Sequence, residues 1–178
     1  RYAVRALRLL AILERVSGNR DAAGRVLGMI EELDPLSHFA HWEHYLNRPD
    51  AGGLEYFKSR IRKELPHESY LELASVYVGL GLNTDGLAVL RQSPGHPMVH
   101  LWTAYLLAQN GQEKASRELL QATLQESAEY VFPFRTESVA VLQWAAKADP
   151  HWKIRYYRAL LYWSRGRRHT GGHIRDCC

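Results

Sequence analysis

Sulfur chemistry is nearly absent from this sequence: its two cysteines, Cys177 and Cys178, sit side by side at the end, which excludes a disulfide framework and a spaced zinc-knuckle pair. Long apolar runs are missing as well. No stretch approaches the roughly 18 residues that a membrane-spanning helix requires, and Arg1 to Arg8 alternates arginine with apolar residues where a signal peptide would carry an apolar core. A soluble, cytoplasmic protein with no membrane partner is the expectation. Charge of one sign does not dominate either. The 23 basic and 19 acidic residues leave a net charge of +4, too balanced to demand a nucleic-acid partner. Catalytic signatures are also wanting: Gly79-Leu80-Gly81 lacks the third glycine and the preceding strand of a dinucleotide loop, and there is no nucleophile elbow, metalloprotease helix or phosphate loop. The expectation is no enzyme activity and no cofactor.

What remains is the composition of a folded chain, with 46% hydrophobic and 24% charged residues over 178 positions, enough for one domain or a short repeat array. The chain has no initiator methionine and opens inside an apolar periodic segment, so a fragment of a longer protein is expected. Prolines set a period. Pro35, Pro66 and Pro97 stand 31 residues apart, and Pro49, Gly81 and Gly111 follow them by 14 or 15 residues, with Pro150 and Gly166 giving a similar step of 16. Between these marks apolar residues recur at helical spacing, as in Leu7, Leu10, Ala11 and then Ala23, Leu27, Ile30. Proline stops the helices at Asp34-Pro35 and Asp149-Pro150, while Asn19, Asp50 and Asn83 stand where new helices need caps. Helices are predicted near 3–17, 20–33, 37–47, 51–64, 68–80, 84–93, 98–109, 112–128, 136–148, 152–165 and 168–176, paired into five hairpins covering 1–35, 36–66, 67–97, 98–133 and 134–178. No segment alternates with period two for long enough to be a strand, and Glu129 to Phe134 is an aromatic loop that breaks the repeat.

Leu7, Leu10, Ala11, Gly18, Ala23, Leu27, Ile30, Asp34 and Pro35 occur at the spacings of the tetratricopeptide repeat, and the first unit resembles that family. Tyr70, Leu73, Ala74, Tyr77, Gly81, Gly86 and Leu90 repeat the register, with Arg158, Ala159, Tyr162 and Gly166 giving part of it again. Trp42, where a small residue belongs, and the shifted register after Gln112 depart from the pattern. More loosely, Phe132 to Gly166 resembles the repeat region of large bacterial proteins in which a sugar-mutarotase-like β-sandwich precedes the repeats. The resemblance implies an all-α fold, an α-α superhelix built as a right-handed array of about five hairpins in one domain, with small residues at the close approaches between helices.

It also implies a concave groove. Arg5, Arg8 and Arg15 share one side of the first helix and could meet an acidic partner, although Ile12 stands where the family's carboxylate clamp has asparagine. Phe39, Glu43, Leu71, Ser75, Leu101, Tyr105, Lys153, Tyr156 and Trp163 would continue that face, suited to an extended peptide or a partner helix, or else fill the core of a compact array. His38, His41 and His44 lack a fixed fourth metal ligand, and His169, His173 and Cys177 align at helical spacing but across Gly171-Gly172, where a poorly ordered or truncated final helix is the expectation; Arg165, Arg167, Arg168, His169 and Arg175, with Trp152, Trp163 and Tyr162 nearby to stack bases, make a basic cluster for which an ordinary surface is the expectation, so neither metal nor nucleic acid is expected to bind. A non-catalytic scaffold for a protein or peptide partner is therefore the expected function. The alternative is an accessory region that orients or dimerises the catalytic domain of a larger carbohydrate-active enzyme. Self-association through the C-terminal end is a further expectation.

Overall fold

In a computed structural model, residues 2–166 are described. They are all-α, with 73% in helix and no strand. The ten helices are α1 (Tyr2–Val16), α2 (Arg20–Leu33), α3 (His38–Asn47), α4 (Ala51–Arg60), α5 (Pro66–Gly79), α6 (Asn83–Leu90), α7 (Pro97–Gln109), α8 (Glu113–Gln125), α9 (Ser138–Ala148) and α10 (Trp152–Ser164). The chain divides between Ser69 and Tyr70 into two compact units. The expected helix at 168–176 and the motifs His169, His173, Cys177, Arg167, Arg168 and Arg175 lie outside the described residues.

In the first unit α1 and α2 form one hairpin and α3 and α4 another, and α3 packs against both helices of the first. Ala11 and Ala23 are wholly buried where α1 and α2 approach, as small side chains at a close helix crossing should be. Leu27 and Ile30 on the same side of α2 are wholly buried too, each contributing about 1.5–3 kcal/mol. Trp42 is also fully inside, with its ring centroid 5.0 Å from that of Phe57 and 5.1 Å from that of Tyr45. This bulky residue thus fills the contact between α3 and α4.

In the second unit α7 is the centre. It is apolar all round, with Met98, Val99, Leu101, Trp102, Ala104, Leu106 and Leu107 buried, the pattern of a helix covered on several sides. Helices α6, α8 and α9 pack on it, and α10 packs on α9. Gly86 marks the tightest approach: a Cβ there would stand 3.2 Å from Val78 Cγ2 on α5 and 3.4 Å from Leu106 Cδ1 on α7.

The repeated glycines have a geometric cause. Gly18, Gly81 and Gly111 follow α1, α5 and α7 with φ of 82°, 76° and 75°, a left-handed conformation that costs glycine little. The next amides reach back five residues, Asn19 to Glu14 O, Leu82 to Tyr77 O and Gln112 to Leu107 O, closing each helix in a Schellman turn. Pro49 and Pro150 replace glycine at the turns into α4 and α10, where Asp50 Oδ1 accepts from Gly53 N at 2.7 Å and His151 Nδ1 accepts from Lys153 N at 3.3 Å.

Three helices stop earlier than their periodicity predicts. Helix α4 ends at Arg60, where His38 Nε2 bonds the Arg60 carbonyl at 3.0 Å, and Arg62-Lys63-Glu64 offers no apolar residue to hold another turn. Helix α6 ends at Leu90 because a turn through Ser93 precedes Pro94. Helix α8 ends at Gln125 because a buried lysine from α10 takes its last carbonyls, as described next.

Candidate functional site

Loop 126–137 leaves α8 and returns to α9, and its path is set by bonds from distant helices. Lys153, buried on α10, donates from Nζ to Leu124 O at 2.7 Å and also to Glu126 O. The Glu126 carboxylate meets His100 Nδ1 on α7 at 2.6 Å, and Trp102 Nε1 donates to Ser138 Oγ at 3.0 Å where α9 begins. Between these anchors the chain alternates. Val131 and Pro133 point inward, whereas Tyr130, Phe132 and Phe134 point outward and are 85%, 65% and 47% exposed.

Trp152 and Tyr156 stand four residues apart on α10, and so share a face; their ring centroids are 6.4 Å apart with planes at 49°. Loop and helix thus enclose an open cleft of about 430 Å³ lined by Ala128, Glu129, Tyr130, Phe132, Trp152 and Tyr156. Tyr130 holds a φ of 59°, unusual for a bulky side chain. Beneath the cleft Tyr157 is buried, and burial, then the Glu126 charge, then Tyr156, push its hydroxyl up to about 12. It remains a neutral packing group at any ordinary pH.

The sequence-predicted groove residues divide between the two units. In the first unit Arg15 makes a two-pronged pair with Glu43, Nε to Oε2 at 2.8 Å and Nη2 to Oε1 at 3.2 Å, and Glu43 is wholly buried. Arg8 lies over the Phe39 ring at 5.3 Å, and Phe39 is itself core. Of the three arginines only Arg5 is exposed. In the second unit Leu71 and Leu101 are core, Ser75 Oγ donates to Glu72 O, and Tyr105 meets the Trp144 ring edge-on at 5.8 Å. Lys153 caps α8 from within, while Tyr156 lines the cleft and Trp163 is 66% exposed. Arg165 borders a smaller hollow with Tyr162, Leu161, Val139 and Thr136.

The histidines of α3 have separate surroundings. His38 holds the end of α4, His44 Nε2 is 3.4 Å from Glu31, and buried His41 lies edge-on to Tyr56 at 5.0 Å with Nε2 3.9 Å from Glu31. Burial, the largest cause, lowers the His41 pKa, as do Arg60, His38 and His44, against a raising effect of Glu31. Among the described residues no three His, Cys, Asp or Glu side chains come together in a group that could hold a metal ion. The first unit also carries a shallow groove of about 670 Å³ between the start of α2, the end of α3 and the start of α4. Opposite charges fill much of its rim, with Arg48 Nη2 on Asp21 Oδ1 at 2.5 Å.

Sequence reasoning singled out Tyr156, named Trp152 only as a possible stacking ring beside the basic cluster, and noted the aromatic character of Glu129 to Phe134, but assigned no binding role to Tyr130, Phe132 or Glu129. The signal was the concentration of rings in a segment that breaks the helical period. No protein-family model, curated protein or solved structure matches this chain.

Proposed function

We propose that this chain is a non-catalytic helical scaffold of the tetratricopeptide type that binds a protein or peptide partner. The repeated glycine turns and paired helices support the repeat reading. The observation that carries the binding reading is the open aromatic cleft of the second unit, where Tyr130, Phe132, Trp152 and Tyr156 are all exposed. Large apolar side chains gathered in one place mark interaction sites, and aromatic rings dominate protein interfaces because they bring much contact area with few rotatable bonds. The cleft is bounded by one loop and one helix face. A small-molecule site encloses most of its ligand, whereas this one suits part of a larger partner.

Peptides selected from a random displayed library, with affinities read by fluorescence polarisation on the purified chain, test the reading. Trp152→Ala with Tyr156→Ala should weaken the selected peptides by about tenfold or more. A chain from which no peptide is selected with a Kd below about 1 mM, a free energy of roughly 4 kcal/mol, would end it.

A further inference from the structure

The aromatic cleft of the second unit has a feature that its apolar character alone does not account for. Three rings outside the cleft are met by the chain's own cations: Arg8 over Phe39 at 5.3 Å, Arg60 over Tyr56 at 4.9 Å and Arg135 over Phe134 at 5.2 Å. Of the cleft rings only Trp152 has a cation near it among the described residues: the buried Lys153 ammonium, behind the cleft, stands 5.8 Å from its centroid and donates to the carbonyls of Leu124 and Glu126. Among the described residues no arginine or lysine lies over Tyr130, Phe132 or Tyr156. These three rings are 85%, 65% and 42% exposed. Glu129 lines the same cleft, and among the described residues its carboxylate has no ion-pair partner.

An aromatic face is electron-rich at its centre and attracts a cation held within about 6 Å. Exposed rings that line one cleft with an acidic residue therefore favour a positive group over a neutral or negative one. Resting on the scaffold reading above, we propose that this cleft receives an arginine side chain of an extended peptide partner, its guanidinium against the rings of Tyr130, Phe132 and Tyr156 and its charge matched by Glu129. Arginine is favoured over lysine because its planar, weakly hydrated head stacks on ring faces while still donating to a carboxylate. The left-handed backbone at Tyr130 is consistent with this use, since strained conformations of bulky residues tend to persist where they present a side chain for binding. Binding at this place would leave the core untouched, because every group it uses faces outward from α10 or the loop.

The probe is a fluorescein-labelled Ser-Gly-Arg-Gly-Ser-Arg-Gly-Ser peptide, measured beside its citrulline counterpart, which keeps the shape of each side chain and removes the charge. The arginine peptide should bind at least about tenfold more tightly than the citrulline peptide. Phe132→Ala and Tyr130→Ala should each weaken it by about two- to fivefold. Glu129→Gln should weaken it and flatten its salt dependence. All three positions are exposed, and an unchanged circular dichroism melt for each variant shows that the fold is intact. Equal affinity for arginine and citrulline peptides, or an arginine affinity indifferent to all three substitutions, overturns the inference. If library peptides without arginine bind and are lost on Trp152→Ala with Tyr156→Ala, the scaffold reading stands and the cationic specificity falls. If no peptide of any sequence binds, both fall.

Discussion

Replacing Lys153 by methionine probes the junction on which the second unit's loop depends. Methionine keeps most of the apolar stem and removes the ammonium, so packing along α10 changes little. The carbonyls of Leu124 and Glu126 then lose a charged donor inside the protein. Leaving a buried acceptor unsatisfied costs about 1–3 kcal/mol, and two are affected, but relief from burying a charge offsets part of this; the net loss should be about 2–4 kcal/mol. At about 2–4 °C per kcal/mol for a chain of this size, the melting temperature should fall by roughly 5–15 °C. Hydrogen exchange adds the local readout. Amides in the last turn of α8 and in loop 126–137 should exchange faster in the variant, while α1 and α2 stay as protected as before. Lys153→Arg should fall between the two, since a broad planar head cannot occupy the same point as an ammonium. A Lys153→Met chain that melts within about 2 °C of the original, with unchanged exchange at the end of α8, would show that water serves these carbonyls equally well.

In the first unit, Arg15→Ala should destabilise by on the order of 3 kcal/mol, because it strips a guanidinium from the fully buried Glu43 carboxylate, whereas Arg15→Met with Glu43→Leu should recover most of the loss. Urea titration of the single and double variants measures the difference, and equal destabilisation by both would reject the ion-pair account. His41 predicts a pH dependence with a definite sign. Its folded pKa lies below the usual 6.5, chiefly through burial, so the unfolded chain takes up the proton first as pH falls. Its contribution is therefore fully present above 6.5 and is lost as pH drops through the lowered folded value. His41→Phe, which keeps a ring against Tyr56, should flatten the decline in melting temperature between about pH 7 and 5; an unaltered decline would assign it to other groups. Gly86→Leu should cost about 1–3 kcal/mol or more by forcing α6 away from Val78 and Leu106, and a variant with the original melting temperature would show that α5 and α7 yield easily.

The helices and their turns were readable in the sequence because each rests on a local rule. A glycine forced into a left-handed conformation must recur wherever the same Schellman turn recurs, so Gly18, Gly81 and Gly111, 63 and then 30 residues apart, reported the hairpins at about two repeats and one. Helix ends governed from afar were not readable. His38 is 22 residues from the Arg60 carbonyl that it holds, and Lys153 is 29 residues from the Leu124 carbonyl. The arginine face of α1 shows the same limit. Arg8 and Arg15 at helical spacing look alike whether they await an acidic ligand or meet Phe39 and Glu43, and Glu43 lies 28 residues from Arg15. Nothing in local spacing separates the two cases.

The aromatic loop was visible as an interruption, yet its direction was not. A segment reading Tyr-Val-Phe-Pro-Phe has rings on one parity and aliphatic groups on the other, and composition alone would bury the larger set. The structure buries Val131 and Pro133 instead, because the anchors at Glu126 and Ser138 fix which parity faces the core. Helix α10 couples that choice to the cleft. Lys153 and Tyr157 are four residues apart on its inner side, and Trp152 and Tyr156 are four apart on its outer side, so the helix that ties down the loop also supplies the facing wall. A change on the inner side should therefore be felt outside. Lys153→Met ought to weaken any ligand of the cleft although it leaves every lining side chain in place, and it should do so at temperatures where the chain remains fully folded. Undiminished binding in a variant whose loop exchanges faster would mean that the ligand itself orders the loop.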